Sequence, residues 1–272
     1  SGDSNIALGS FALNYVTSTD GNIGIGLYAG HYMRGGTDNI FIGRYSGYGG
    51  VEASPYTSVN YNIGIGFKAL HEVLTSGNVG IGYEAGFYAS SGSSNTFIGY
   101  QSGKGSSSAP YSTGGSNTFI GAGAGKDFTT GYGNTAVSVN SLESVTEGFY
   151  NIGIGPSAGG SITTGDYNIA IGYAAFDAAT TAGSTIAIGY AALSAYTHAE
   201  NSFNVAIGTQ VAYLKTSGRF NTYIGGYKVA DADLTGEKNV WIGSYANQYG
   251  TDTDSTTLVG YEAGRYATGS YN

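Results

Sequence analysis

Few side chains in this chain have the types and spacing that chemistry requires. Zinc sites and nucleophilic triads place histidine beside cysteine, carboxylates or serine. The 272 residues include no cysteine and only three histidines, at His31, His71 and His198. These three are far apart and show no ligand spacing, so we expect them to be solvated loop residues. The sequence therefore predicts neither a zinc centre nor an acyl-transfer site.

Acidic pairs are the remaining candidates for chemistry. Asp231-x-Asp233 and Asp252-x-Asp254 could hold a hard cation in a turn, although neither has the glycine and glutamate pattern of a calcium loop. The 18 acidic residues are otherwise dispersed, without the cluster that carboxylate catalysis needs. We predict a protein that is not an enzyme and that uses no metal or cofactor.

A single repeated segment must position all of these residues. Its clearest copy is Asn168-Ile169-Ala170-Ile171-Gly172, and the commonest step between copies is 17 residues. A fixed period with one strand-like motif per copy is typical of a solenoid. We predict an all-β, parallel β-solenoid of about fifteen turns, forming one domain over residues 1–272. The copies begin at Asn5, Asn22, Asn39, Asn62, Asn78, Asn95, Asn117, Asn134, Asn151, Asn168, Thr185, Asn204, Asn221, Asn239 and Thr256.

Composition excludes several classes of function. Charged residues make up only 10% of the chain and the net charge is −8, with the ten basic residues scattered. Binding to nucleic acid needs clustered Lys and Arg, so we expect none. No apolar run approaches the length of a membrane span, so we expect no membrane insertion of this segment. The lack of cysteine suits a protein exported from the cell.

Alternation along each strand predicts two faces. The second and fourth motif residues are aliphatic, and we expect them to point into the solenoid core. The third residue should then face outward, where it is small or aromatic in all copies but that of Leu258, and never charged. An outward face without charge suggests contact with another chain. The candidate interface residues are Phe41, Phe97, Phe119, Tyr223 and Trp241.

The first and last motif residues have their own expected roles. Stacked asparagines can hydrogen-bond through their amides in a ladder. The closing glycine allows a bend or a positive φ that other residues resist. Because each turn offers so few aliphatic side chains to the core, we expect several copies of the chain to associate symmetrically.

These motifs resemble the head repeats of trimeric autotransporter adhesins. Asn204-Val205-Ala206-Ile207-Gly208 and Asn168-Ile169-Ala170-Ile171-Gly172 are the nearest matches. The longer form Asn95-Thr96-Phe97-Ile98-Gly99-Tyr100-Gln101-Ser102-Gly103 is similar to repeats in bacteriophage tail fibres and in large bacterial surface proteins. The resemblance implies a trimeric, left-handed parallel β-roll.

Two copies are longer than the rest. The steps from Asn39 to Asn62 and from Asn95 to Asn117 are 23 and 22 residues. The extra residues include Pro55-Tyr56 in the first copy and Pro110-Tyr111 in the second. Insertions in solenoids form surface loops that often bind partners, so these four residues are candidate receptor contacts. The alternative is a pair of tolerated bulges without function.

Tyrosine supplies another candidate surface. Five tyrosines directly follow the motif glycine, at Tyr83, Tyr100, Tyr173, Tyr190 and Tyr261. Stacked along the solenoid they would suit sugar rings, although aromatics fixed by a repeat are more often structural packing.

Together these observations predict an extracellular structural and adhesive module. The chain enters and leaves within the repeat, so we expect it to be a segment of a longer fibrous protein, from a phage tail fibre or a bacterial surface adhesin. As a homotrimer it would extend a binding tip and bind a cell-surface glycan or protein receptor by avidity. Alternatives are a monomeric solenoid with an ice- or surface-binding face, and a glycan-cleaving helix like a phage tailspike.

Overall fold

The fold is described from a computed structural model that covers residues 2–17, 19–49, 59–107, 112–251 and 253–267. This described part is all-β, and no helix within it could cross a membrane. The chain divides into two compact units, Ser1–Val137 and Ser138–Asn272. Each unit is a β-solenoid of parallel strands, as the period predicted.

The strands of unit 1 follow one another in sequence order. Each pairs in parallel with the next at equivalent motif positions, as in Ile6↔Ile23 and Phe97↔Phe119. They are β1 (Ile6–Leu8), β2 (Ile23–Ile25), β3 (Ile40–Ile42), β4 (Ile63–Ile65), β5 (Val79–Ile81), β6 (Thr96–Ile98), β7 (Thr118–Ile120) and β8 (Thr135–Val137).

Unit 2 repeats this arrangement. Its strands also pair in parallel between neighbours, as in Ile169↔Ile186 and Tyr223↔Trp241. They are β9 (Ile152–Ile154), β10 (Ile169–Ile171), β11 (Ile186–Ile188), β12 (Val205–Thr209), β13 (Thr222–Tyr227), β14 (Val240–Ile242) and β15 (Thr257–Val259).

The two strand faces are the reverse of those expected. Phe41, Phe97, Phe119, Tyr223 and Trp241 are completely buried within a single chain, and the Ile, Val and Thr residues on either side of them are partly exposed. The prediction that third residues face outward is therefore wrong. Side chains with no exposed area in one chain cannot line a contact with a second chain, so these five residues are not a trimer interface.

Packing volume explains why most third residues are either small or aromatic. A Cβ at Gly80 would lie 2.7 Å from Leu70, which belongs to the preceding repeat and already fills that space. Where the third residue is Phe97, the position occupied by leucine in other repeats is Gly103, and a Cβ there would overlap the phenyl ring. In both cases a large side chain fills the space, and the position beside it is left to glycine.

Asparagine side chains connect each repeat to its neighbours. Asn168 is fully buried, its Oδ1 accepts the backbone N–H of Thr185 at 3.1 Å, and its Nδ2 donates to the carbonyl of Ala182 at 2.8 Å. Nδ2 also donates to Oδ1 of Asn151 at 3.0 Å. The predicted ladder is confirmed, and it binds main chain as well as amides. It thereby satisfies backbone groups that burial would otherwise leave unpaired.

The closing glycine has the positive φ that was predicted. Gly172 has a φ of 121°, and a Cβ on it would lie 2.5 Å from the carbonyl oxygen of Gly189 in the next turn. Glycine is therefore required by both conformation and space. In one copy Ser138 takes this position with a φ of 113°, in a region that side chains rarely adopt.

Replacing Phe97 by alanine tests the corrected assignment of faces. We expect Phe97→Ala to lower the free energy of unfolding by about 3–5 kcal/mol, because it empties the core of one layer. Tyr100→Ala in the same repeat is the control, since Tyr100 is 56% exposed, and should cost less than about 1 kcal/mol. Urea denaturation followed by circular dichroism measures both. Similar losses for the two variants would contradict the assignment.

The asparagine ladder can be tested at Asn168. Asn168→Leu should cost at least about 2 kcal/mol, because it leaves the Thr185 N–H and the Ala182 carbonyl buried without partners. Asn168→Thr should cost about 1 kcal/mol, because threonine occupies this buried position naturally at Thr185 and Thr256. The same denaturation measurement applies. A leucine variant as stable as the threonine variant would show that the amide contributes little.

Candidate functional site

The outer face of the strands is the most extensive unusual surface. Within each unit, second and fourth motif residues form two columns of Ile, Val and Thr, with one Leu in unit 1, and no charged residue occupies either column in any described strand. These side chains are partly exposed, for example Ile65, Ile154 and Ile242. We call these two columns the outer strand face. Exposed columns made mostly of Ile and Val are uncommon on the surface of a monomer.

Aromatic side chains flank the outer strand face. Tyr173 and Tyr190, which follow the motif glycines, stack with ring centroids 5.4 Å apart. On the other side, residues that precede the motif asparagine stack in the same way, as Phe203 and Phe220 do at 5.3 Å. The predicted stacking of tyrosines is thus confirmed for this pair, and the rings widen the apolar surface of the repeats that carry them.

Several predicted site residues lie elsewhere. Pro55, Tyr56, Pro110 and Tyr111 fall outside the described residues, so the candidate receptor loops stay a prediction. The expectation of a solvated histidine is wrong for His31, which is only 5% exposed. Within the described ranges, no group of three or more His, Asp or Glu side chains is arranged to hold a metal ion.

Asp233 belongs to a buried polar cluster, not to an open cation site. Its Oδ2 accepts from Lys215 Nζ at 2.9 Å and from the Tyr223 hydroxyl at 2.6 Å, and its Oδ1 accepts the Gly236 N–H at 2.9 Å. Lys215 also donates to the Gly236 carbonyl at 2.7 Å. Burial, together with the Asp233 carboxylate, raises the pKa of Tyr223 well above its usual value. The phenol therefore stays protonated and acts as a donor in this core.

Three columns of aromatic rings meet at a cleft in unit 1. Phe11, Tyr28 and Tyr45 form one wall, with successive centroids 5.0 and 5.2 Å apart. Tyr15 and Tyr32 form the other wall, stacked at 5.2 Å. We call this site the aromatic cleft; it encloses about 340 Å³. That volume lies within the usual range for small-molecule sites.

The third column joins the two walls. The rings of His31 and Tyr48 are within 13° of parallel, and His31 meets Tyr28 and Tyr32 edge to face, at 4.8 and 4.5 Å. His31 Nδ1 lies 3.0 Å from the Phe11 carbonyl oxygen. Because a carbonyl oxygen can only accept, Nδ1 carries the proton in this contact. The histidine thus fixes the base of the cleft against its wall.

Two arginines lie beside the cleft. The guanidinium carbon of Arg34 is 5.5 Å from the centre of the Tyr15 ring. That of Arg44 is 5.9 Å from the centre of the Tyr45 ring and lies closer, at 4.6 Å, to the ring of Phe67 outside the cleft. Both side chains are exposed. The residues lining the cleft include no carboxylate. In a chain with a net charge of −8, this site has cations at its edge.

Sequence reasoning overlooked the aromatic cleft, although a signal was present. Each of its columns follows the 17-residue step, from Tyr28 to Tyr45 and from His31 to Tyr48. The predicted tyrosine stripe used only the position directly after the motif glycine. The cleft requires aromatics in three further positions of the same repeats, a coincidence visible only when the repeats are aligned.

Comparison of the chain with models of protein families, with curated protein sequences and with solved structures finds no match. Functional conclusions therefore depend on the geometry of the chain.

The buried cluster predicts a strong dependence of stability on Asp233. Asp233→Ala should cost about 3–5 kcal/mol, because it leaves the Lys215 ammonium buried without its counter-charge. The control Asp231→Ala removes a partly exposed partner of Lys228 and should cost less than about 1 kcal/mol. Thermal unfolding of the two variants measures both losses of stability. Equal effects would contradict the proposed burial of the Lys215 pair.

Proposed function

We propose that this chain is a segment of an extracellular fibre in which three identical chains associate through the outer strand face. The supporting observation is the pair of charge-free columns of Ile, Val and Thr that each unit leaves partly exposed. The largest apolar patch on a typical monomer covers roughly 300–600 Å². Columns that continue through consecutive strands of each unit favour burial against another protein surface.

A second copy of the chain is the partner that best fits this face. The columns recur at the spacing of stacked strands, and an identical chain presents the same spacing along its own face. The repeats of two identical chains can therefore align with one another along this face. Three copies are favoured by the resemblance of the motifs to trimeric adhesin heads. The previously suggested contact through Phe97 and its equivalents is replaced by contact through residues such as Ile98.

The alternatives receive less support. An ice-binding face needs a flat array of one residue type, but the first column of the outer strand face mixes Ile, Val and Thr. A glycan-cleaving site needs paired carboxylates in a groove, and the residues lining the aromatic cleft include none. The proposed function is extension and adhesion by a phage tail fibre or a bacterial surface protein, which holds receptor sites in triplicate.

Substitution of the outer strand face tests this proposal. Wild-type protein should behave as three chains of 27.8 kDa in sedimentation equilibrium at micromolar concentration. The double variant Ile171→Lys/Ile188→Lys should be monomeric with an unchanged circular dichroism spectrum, because lysine is tolerated on a partly exposed face but not in an apolar interface.

Thr164→Lys, in an exposed turn of the same region, is the matched control and should remain trimeric. A wild-type chain that sediments as a monomer would overturn the proposed association.

A further inference from the structure

We propose that the aromatic cleft of unit 1 binds a saccharide that carries a carboxylate, such as a uronic acid. The inference rests on the proposed receptor-binding function and names the class of ligand. It needs only one chain, because every lining residue comes from the first repeats of unit 1. The binding step is non-covalent and involves no chemical change in the sugar.

The shape and lining of the cleft suit a sugar ring. Pyranoses present C–H groups on their faces and hydroxyls around their edges, and Tyr side chains offer an apolar ring with a polar tip. Phe11 is 54% exposed at the end of its column, so its ring remains accessible. Tyrosine hydroxyls and the exposed Asn14 amide supply donors and acceptors for hydroxyl groups.

The arrangement of rings also distinguishes this site from a simple stack of tyrosines. Tyr173 and Tyr190 form a parallel pair along one column. In the cleft, by contrast, His31 meets rings of both walls at 74–86° in its contacts with Tyr15 and Tyr28. Rings at right angles form a concave surface, whereas a single stack forms a ridge. Concave surfaces are the usual form of ligand sites.

Charge decides which ligands the cleft favours. Aromatic cages for quaternary ammonium groups depend on the attraction of a cation to ring faces. Here Arg34 and Arg44 are themselves placed near the rings of Tyr15 and Tyr45, so a cationic ligand would be repelled. Guanidinium groups pair well with carboxylates. A uronic acid meets both the rings and the arginines.

Titration calorimetry with a matched pair of sugars tests the proposal. Methyl glucuronide and methyl glucoside differ only at the carboxylate, and the glucuronide should bind wild-type protein about tenfold more tightly. In Arg34→Gln/Arg44→Gln this preference should fall to less than about twofold, while affinity for the glucoside stays unchanged. Choline chloride serves as the cationic probe and should not bind.

A second experiment removes one aromatic ring from each wall of the cleft. Phe11→Ser/Tyr15→Ser should lower affinity for both sugars about tenfold or more, and Tyr173→Ser/Tyr190→Ser, a stacked pair away from the cleft, should leave it unchanged. Circular dichroism checks that each variant is folded. Unchanged binding in the wall variant, equal affinity of wild type for the two sugars, tighter binding of choline, or no binding of either sugar would overturn the proposal.

The same titrations with Ile171→Lys/Ile188→Lys separate this proposal from the proposed function. A monomeric variant that retains the preference for glucuronide supports the cleft whatever the oligomeric state of the wild type. A trimeric wild type that binds neither sugar would overturn the cleft and leave the fibre proposal intact.

Discussion

The buried hydrogen bonds of the motif asparagines are the constraint from which the rest of the structure follows. Amide oxygens of the motif asparagines accept backbone N–H groups from the next repeat, and amide nitrogens donate to carbonyls near the end of their own repeats, as Asn221 does to Gly236 at 3.0 Å. This contact fixes both the register between strands and the point at which each turn closes. Side chains alternate between the two faces of a strand, so a slip of one residue would move every side chain to the other face. A fixed register therefore determines which face each side chain occupies.

The consequence is a core that is one residue wide along each strand. The third residue points inward, and it shares its layer with a side chain from the second half of a repeat, such as Leu70 or Leu142. A core this narrow cannot also contain the isoleucines at the second and fourth motif positions. They remain outside because the interior has no volume for them, despite their hydrophobicity. The outer strand face is thus a product of the same register that orders the core.

Much of the fold could be predicted from the repeat, but the direction of the strand faces could not. Parallel strands, the asparagine ladder and the positive φ of Gly172 follow from period and residue type. Because side chains alternate along a strand, either the third residues or the second and fourth residues could face the core. The expectation that aliphatic side chains are buried favoured the second and fourth residues, and it was wrong. The relevant signal was that a large third residue is followed six positions later by a small one, as in Phe97 and Gly103, whereas a small third residue is followed by a large one in Gly64 and Leu70. It indicates that the third residue and the later position compete for one space.

The aromatic cleft was harder to predict, because it depends on how columns approach one another in space. Ring identity and the 17-residue step are visible in the sequence, but the right angle between His31 and Tyr28 is not. Likewise, Arg34 is far from Tyr15 in sequence, and only the winding of the coil places its guanidinium beside that ring. Sites in solenoids are built from several turns, so a motif within one turn does not reveal them.

The reactivity of single cysteines tests the inward direction of the third residue most directly, since the chain contains no cysteine of its own. A thiol introduced by Ala170→Cys should react with a maleimide only after the protein is unfolded, whereas one at Thr164→Cys should react at once. Rapid labelling of the native Ala170→Cys protein would contradict the assignment of the strand faces.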